Sequence, residues 1–349
     1  MMLNKKVTAV LLCLLMVFLT ACAQPVKEAD AGEEQTEKDD KIEIGITFDT
    51  FIMERWQRDR DVFVSTARSL GAEVNVQNAN GDTSVQLDQI DYFIEKGMDV
   101  IVIVATDGYS LQEAVKKAHD KGIKVICYDR LIVDGGSDLY VSFDNGRVGE
   151  LMGESIIKEL PEGGNIIMIK GPEKDYNVSL VEEGFDRTIK GHNINVVAEH
   201  NVSEWKSEEA SDYLSEKDSL MTSISAIMCG NDALAGGAVR YLSERRLASK
   251  ILVTGQDADL DACQRIVEGT QLMTVYKPIE ILAQRAAECA VVLAKGEELT
   301  GDDLSVLNDG KSDIPYVSIE PVMVTKDNLD EVIIDSGFHL KEDVYLNVR

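Results

Sequence analysis

Histidine is scarce in this chain: four residues, His119, His192, His200 and His339, occur in 349. They stand too far apart to form a motif, which removes the commonest proton shuttle and metal ligand from consideration. There is also no GxxxxGK phosphate loop, no GxSxG turn, no HExxH and no GxGxxG after an apolar run. Nucleotide-dependent, acyl-transfer and zinc-hydrolase chemistries therefore have no foothold. The six cysteines never pair closely, as a zinc site or a redox CxxC would require. Basic residues are few: 35 Lys and Arg face 62 Asp and Glu, a formal charge of -27. So acidic a surface repels phosphate backbones and anionic lipid, making nucleic acid a poor partner. Aromatics make up 6% of the chain, with two tryptophans, Trp56 and Trp205.

What is present begins with MMLNKKVTAVLLCLLMVFLTACAQ. Lys5 and Lys6 precede a short apolar run from Val7 to Leu19, too short and lopsided for a spanning helix, and small residues follow. Residues 1–21 read as a secretory signal. Leu19-Thr20-Ala21-Cys22 resembles the bacterial lipobox, in which the cysteine is lipidated and becomes the mature N-terminus. Residues 22–40 then read as an acidic tether, too poor in apolar groups to fold. Export would leave a chain anchored by lipid to the outer face of the cell membrane, or periplasmic, and would move the formal charge from -27 to -29. Of the cysteines beyond the signal and Cys22, we expect Cys127, Cys229, Cys263 and Cys289 to be buried thiols acting as small apolar groups, although one disulfide stays open in an exported protein.

From Lys41 the pattern repeats. Short β-branched runs (IEIGITF, EVNVQ, DVIVIVA, KVICYD, NIIMIK, NVVAEH, ISAIMCG, ILVTGQD, LMTVY) alternate with stretches of helical periodicity that end at glycine. Most runs are continuously apolar, as parallel strands covered on both faces must be. The expected architecture is α/β, with two doubly wound parallel-sheet lobes. The strand series occurs twice, with DLYVSFDN between the halves. The expected division gives residues 41–145 plus about 277–305 to an N-terminal lobe, and 146–276 plus about 306–349 to a C-terminal lobe.

Ligands of open parallel sheets bind beyond the carboxyl ends of the strands. The polar residues there are Asp49, Asp129 and Arg130, Asn145, Asn177, Asn231 and Asp232, Asp257, and Lys277. Asp257, Asp259 and Asp261 mimic the start of an EF-hand loop, but Ala262 stands where that loop needs glycine. Asp259 and Asp261 fit better as helix-start residues, where carboxylates cap free amides and suit the dipole. A mixture of carboxylate, amide and basic side chains suits a neutral polyol, whose hydroxyls donate and accept. Tryptophan faces would pack on its CH groups, although core filling accounts equally well for either indole.

The segments GITFDTFIMERWQRDRDVF, VQNANGD, KVICYDRLI, YVSFDNGRVGE, GNDALAGGA and TGQDADLDACQRIVEGTQLMTVYKPI resemble the D-xylose-binding proteins of ABC importers, within the ribose and xylose class of periplasmic sugar-binding proteins. The similarity runs from about residue 42 to about 296. It implies a periplasmic binding protein type I fold with a multi-strand hinge, no catalysis and no cofactor. It also implies that Arg55, Trp56, Asp129 and Arg130 line the N-terminal side of a sugar cleft. Asn177, Trp205, Asn231 and Asp257 would close from the other lobe, with Lys277 near the hinge. GPEKDYNVS, which carries Asn177, departs most from the family pattern. The implied partner is an ABC permease; the alternative is a sensor kinase or chemoreceptor ectodomain, which neighbouring genes would distinguish. An enzyme of the same α/β class would need a catalytic base or metal in the cleft.

Overall fold

A computed structural model of the chain describes residues 41–53 and 55–348. The signal segment, Cys22 and the acidic tether expected from the sequence lie outside these residues.

The nine apolar runs and the linking DLYVSFDN all form strands. The first sheet contains β1 (Ile42–Phe48), β2 (Ala72–Asn78), β3 (Val100–Ile103), β4 (Lys124–Tyr128) and β5 (Leu139–Phe143), joined late in the chain by β11 (Leu304–Asn308) and β12 (Asp313–Ile319). Its order is β11-β12-β5-β4-β3-β1-β2, parallel throughout except for the β11–β12 hairpin. The second sheet contains β6 (Gly164–Lys170), β7 (Ile194–Asn201), β8 (Ile224–Cys229), β9 (Leu252–Thr254), β10 (Met273–Tyr276) and β13 (Val322–Thr325). Here the order is β13-β10-β9-β8-β6-β7, with only β13 antiparallel.

Continuous apolar strands are explained by burial on both faces. Along β3, Val100 and Val102 pack in one core with Phe63, Ala67, Ala283 and Ala286, while Ile101 and Ile103 enter another with Ile90, Ala114 and Val115. These partners come from α1 (Arg55–Ser69) and α9 (Ile279–Ala294) on one side, and α2 (Thr83–Lys96) and α3 (Gln112–Asp120) on the other. In the second lobe β6 does the same. Ile166 and Met168 face Val148, Val181 and Phe185 of α4 (Asn145–Glu159) and α5 (Tyr176–Ile189). Ile167 and Ile169 face Ala210, Leu214, Leu234 and Ala238 of α6 (Ser207–Glu216) and α7 (Asp232–Glu244). Each such aliphatic side chain contributes about 1.5–3 kcal/mol on full burial. Replacing one with a charge would break the layer.

The chain passes between lobes three times: after β5, between β10 and α9, and between β12 and β13. The last crossing corrects the division at 305/306. Residues 306–319 belong to the first lobe, because β12 pairs in parallel with β5, placing Val317 beside Val141. The alternating, partly polar β11–β12 hairpin lacked the continuous apolar signature that marked the other strands. Cys127, Cys229, Cys263 and Cys289 are all buried. Burial pushes the Cys127 and Cys289 thiols up to about 11, so they are poor nucleophiles.

Candidate sugar-binding cleft

The carboxyl ends of the two sheets face one another across a cavity. All nine expected residues line it: Arg55, Trp56, Asp129, Arg130, Asn177, Trp205, Asn231, Asp257 and Lys277. Met53, Lys170, Asp175, Glu182, Met228 and Gln256 join them. Among the described lining residues there is no Ser, Thr, Cys, His or Tyr; those present offer hydrogen bonds and apolar surface.

The first-lobe rim is a network of buried charges. Arg55 opens α1 and reaches Asp59 one turn on, with N···O distances of 3.1 and 3.3 Å. It also pairs with Asp129 at 2.9 Å. The Tyr128 hydroxyl donates to Asp59 as well. Arg130 does not pair with its neighbour Asp129; it takes Asp49 at 2.5 Å and Asp175 at 2.8 Å, and donates to the Ala105 carbonyl at 3.1 Å. Burial by itself pushes Asp129 up, but the charges of Arg55, Lys277 and Arg130 outweigh it and hold the carboxyl below the usual range. Burial lowers Arg55, yet Asp129, Asp59 and Asp257 together raise it well above its ordinary value. Asp59 and Asp175 are both raised by burial, against the pull of Arg55 and Arg130 respectively. Unpaired, such charges would be expelled from the interior.

Backbone shape organises the second-lobe rim instead. Asn231 caps α7, its side chain accepting from the Leu234 amide at 2.9 Å. Trp205 lies over the ends of β6 and β8. A Cβ added to Gly171 would stand 2.0 Å from its ring, so only glycine lets the indole approach the strand. Asp257 and Ala258 both have positive φ, +98° and +55°. The Asp257 carboxylate lies 3.1 Å from Lys277 and 3.9 Å from Arg55. Asp261 occupies the first turn of α8 (Leu260–Glu268) as expected, but the Asp259 side chain makes no cap bond; its backbone amide donates to Asp232 instead. Among the described residues no three His, Cys, Asp or Glu side chains converge to hold a metal.

The lobes touch directly. Asn177 donates to the Asp129 carbonyl at 2.9 Å and accepts from the Tyr140 hydroxyl at 3.0 Å. With Arg130–Asp175, these bonds join the two lobes beside the cavity, and the rim residues are buried: Asp129, Arg130 and Asp257 are at most 5% exposed. Seven buried side-chain polar atoms among the described residues are left without a hydrogen bond. Ser137 Oγ and Thr254 Oγ1 lie away from the cavity; the other five, Trp56 Nε1, Asp129 Oδ2, Trp205 Nε1, Gln256 Oε1 and Asp257 Oδ1, are on cavity-lining residues. Asp129 Oδ2 and Asp257 Oδ1 are ion-paired with Arg55 and Lys277 at 2.9 and 3.1 Å, and a carboxylate oxygen has a second lone pair for a further donor. Two donors and three acceptors thus surround one gap, the complement of a molecule rich in hydroxyls.

Trp56 serves both readings of a tryptophan. It is 1% exposed, packs edge-on against Phe48 at 6.2 Å, and still lines the cavity. Asn145 turns away, donating to Ser142 Oγ and the Phe143 carbonyl at the first crossing. Sequence reasoning missed Lys170, Asp175 and Gln256 in the lining, and Asp59 behind it. Lys170 ends β6, a signal of the kind used elsewhere; Asp59 lies at i+4 from Arg55, the spacing of a helical ion pair.

Two parallel-sheet lobes, three crossings and a polar gap between strand ends define a hinged binding protein. The periplasmic binding protein domain family matches residues 44–298, and this chain belongs to that family, whose members bind solutes and catalyse nothing. It is 43% identical to the D-xylose-binding periplasmic protein of Haemophilus influenzae, an alignment covering 87% of this chain and 92% of that one. With the protein of the same name in Escherichia coli the identity is 41%, covering 87% and 93%. Among solved structures, an ABC transporter solute-binding protein of Clostridium phytofermentans with bound β-D-glucose superposes with a TM-score of 0.77 at 27% identity, covering 86% of this chain and 99% of that one.

Proposed function

We propose that this chain is the sugar receptor of an ABC importer, that its sugar is D-xylose, and that a lipid on Cys22 holds it to the outer face of the membrane. The observation that carries the reading is the set of five buried polar atoms without hydrogen bonds around one closed gap. Identities of 43% and 41% to D-xylose-binding proteins support the choice of sugar. A sugar hydroxyl donates to Asp129 Oδ2, Asp257 Oδ1 or Gln256 Oε1 and accepts from an indole N–H. The ring's CH faces pack between Trp56 and Trp205. Because the sugar touches both lobes, it favours the closed form by its differential affinity. The permease then meets a surface composed of both lobes, present only when they are shut.

Calorimetric titration with D-xylose, D-ribose, L-arabinose and D-glucose tests this. One-to-one binding strongest for D-xylose, with the sugar recovered intact, is expected; heat from none of the four contradicts the reading, and turnover would make the chain an enzyme. For the anchor, Cys22→Ser should move the protein from the membrane to the soluble fraction. Persistent membrane attachment would refute lipidation at that residue.

A further inference from the structure

Where Asp257 leaves β9, the chain adopts a backbone that its residues disfavour. Positive φ at two consecutive non-glycine residues crowds Cβ against the backbone and persists only where neighbours enforce it. The enforcing contacts are specific. The Ala258 amide donates to Thr274 Oγ1 at 3.1 Å, and that hydroxyl donates onward to Asp232 Oδ2 at 2.7 Å. The Asp259 amide donates to the same oxygen at 3.1 Å, and Gln271 Nε2 fills Oδ1 at 2.8 Å. Arg265 braces the assembly, donating to Gln271 Oε1 at 2.8 Å and to the Asp232 carbonyl at 2.9 Å. Gly255 leaves room for it: a Cβ there would stand 2.1 Å from Asp232 Oδ1.

Asp232 and Thr274 are almost wholly buried, 1% and 0% exposed, and neither lines the cavity. A buried carboxylate needs its lone pairs filled. Here all three donors lie on or beside the strand-end turn, so the group's hydrogen bonding is committed to the shape of that turn.

We propose that Asp232 and Thr274 are positioning residues which, through the amides of Asp259 and Ala258, hold Asp257 in its left-handed conformation and so set sugar affinity without touching the sugar. The affinity part of the inference rests on the function proposed above; the conformational part does not.

The test compares Thr274→Val with Thr274→Ser by calorimetric titration with D-xylose. Valine keeps the shape but strands the Ala258 amide, so its affinity should fall at least about tenfold, whereas serine keeps the hydroxyl and should stay within about threefold of the parent. Equal losses in both, or no loss in valine, overturn the proposal. Should Thr274→Val not fold, Asp232→Asn replaces it, with a loss expected because one of the two accepting oxygens becomes a donating nitrogen, leaving either the turn or Gln271 without its acceptor. A crystal structure of the weakened variant supplies the independent readout. Asp257 and Ala258 should leave the positive-φ region, and their retention overturns the inference. A parent chain that binds no aldose would overturn the functional reading instead, and leaves the φ values to decide this one.

Discussion

The two rims of the cleft are built by different physics. The first-lobe rim consists of long charged side chains locked by ion pairs, Arg55 with Asp59 and Asp129 and Arg130 with Asp49, and Arg130 also reaches Asp175 of the second lobe. The second-lobe rim relies on main-chain geometry: a cap at Asn231, a glycine beneath Trp205 and a left-handed turn at Asp257. A charge network fails as a unit when one member is removed, because its partners stay buried and uncompensated. A turn or a cap fails locally. Mutations should therefore damage the first rim in both folding and binding, and the second rim chiefly in binding.

The sharpest break should come from Arg55→Ala. It strands Asp59 and Asp129 and should destabilise the fold by about 3–5 kcal/mol, the cost of breaking a buried pair, while abolishing detectable sugar binding. Thermal unfolding beside titration checks this, and unaltered stability would mean that the network does not hold the lobe. Asp257→Ala should follow, losing about 2–3 kcal/mol of binding, or some 30- to 160-fold in affinity, from the charged hydrogen bonds removed. Its unfolding temperature should fall less than that of Arg55→Ala, because one buried cation, Lys277, loses its ion-pair partner at 3.1 Å, and an equal drop would erase the contrast between rims. Trp205→Ala should be milder, about tenfold in affinity by loss of stacking area, with the fold retained; unfolding would assign this indole to the core.

The smallest effect is a pH dependence. Burial pushes Asp232 up to about 7, with Arg265, Thr274 and Gln271 pulling the other way. Between its unfolded value of about 4 and about 7, the folded state retains a proton that the unfolded state releases. The stabilising contribution is thus fully present below about pH 4 and lost as the pH rises towards about 7. Asp232→Asn should flatten that part of the stability profile. A slope that persists in the variant would trace it to another group, such as Asp59 or Asp175.

Much of this arrangement was legible before any coordinates. Continuous apolar runs such as DVIVIVA can only be strands buried on both faces, and polar residues just past them fall at the sheets' carboxyl ends. That placed Asp129, Arg130, Asn231 and Asp257. Other features depend on where elements cross in space. Nothing in the sequence pairs Arg130 with Asp49 and Asp175, residues 81 and 45 positions away, in preference to its neighbour Asp129. The division expected at about 305/306 cuts through β11 and separates β12 from its lobe, because pairing with β5 is a long-range choice that local periodicity does not encode. The left-handed turn at Asp257 was also hard to read, since Asp carries a weak signal for positive φ and Ala none, where glycine would have given a clear one.

The central claim is that an intact sugar is held in the gap by both rims at once. Its most direct test is a crystal structure of the chain grown with D-xylose. The account predicts a sugar whose hydroxyls lie within hydrogen-bond distance of Asp129 Oδ2 on one side and Asp257 Oδ1 on the other, with its ring between Trp56 and Trp205. A sugar bound elsewhere, or contacting one lobe alone, would contradict it.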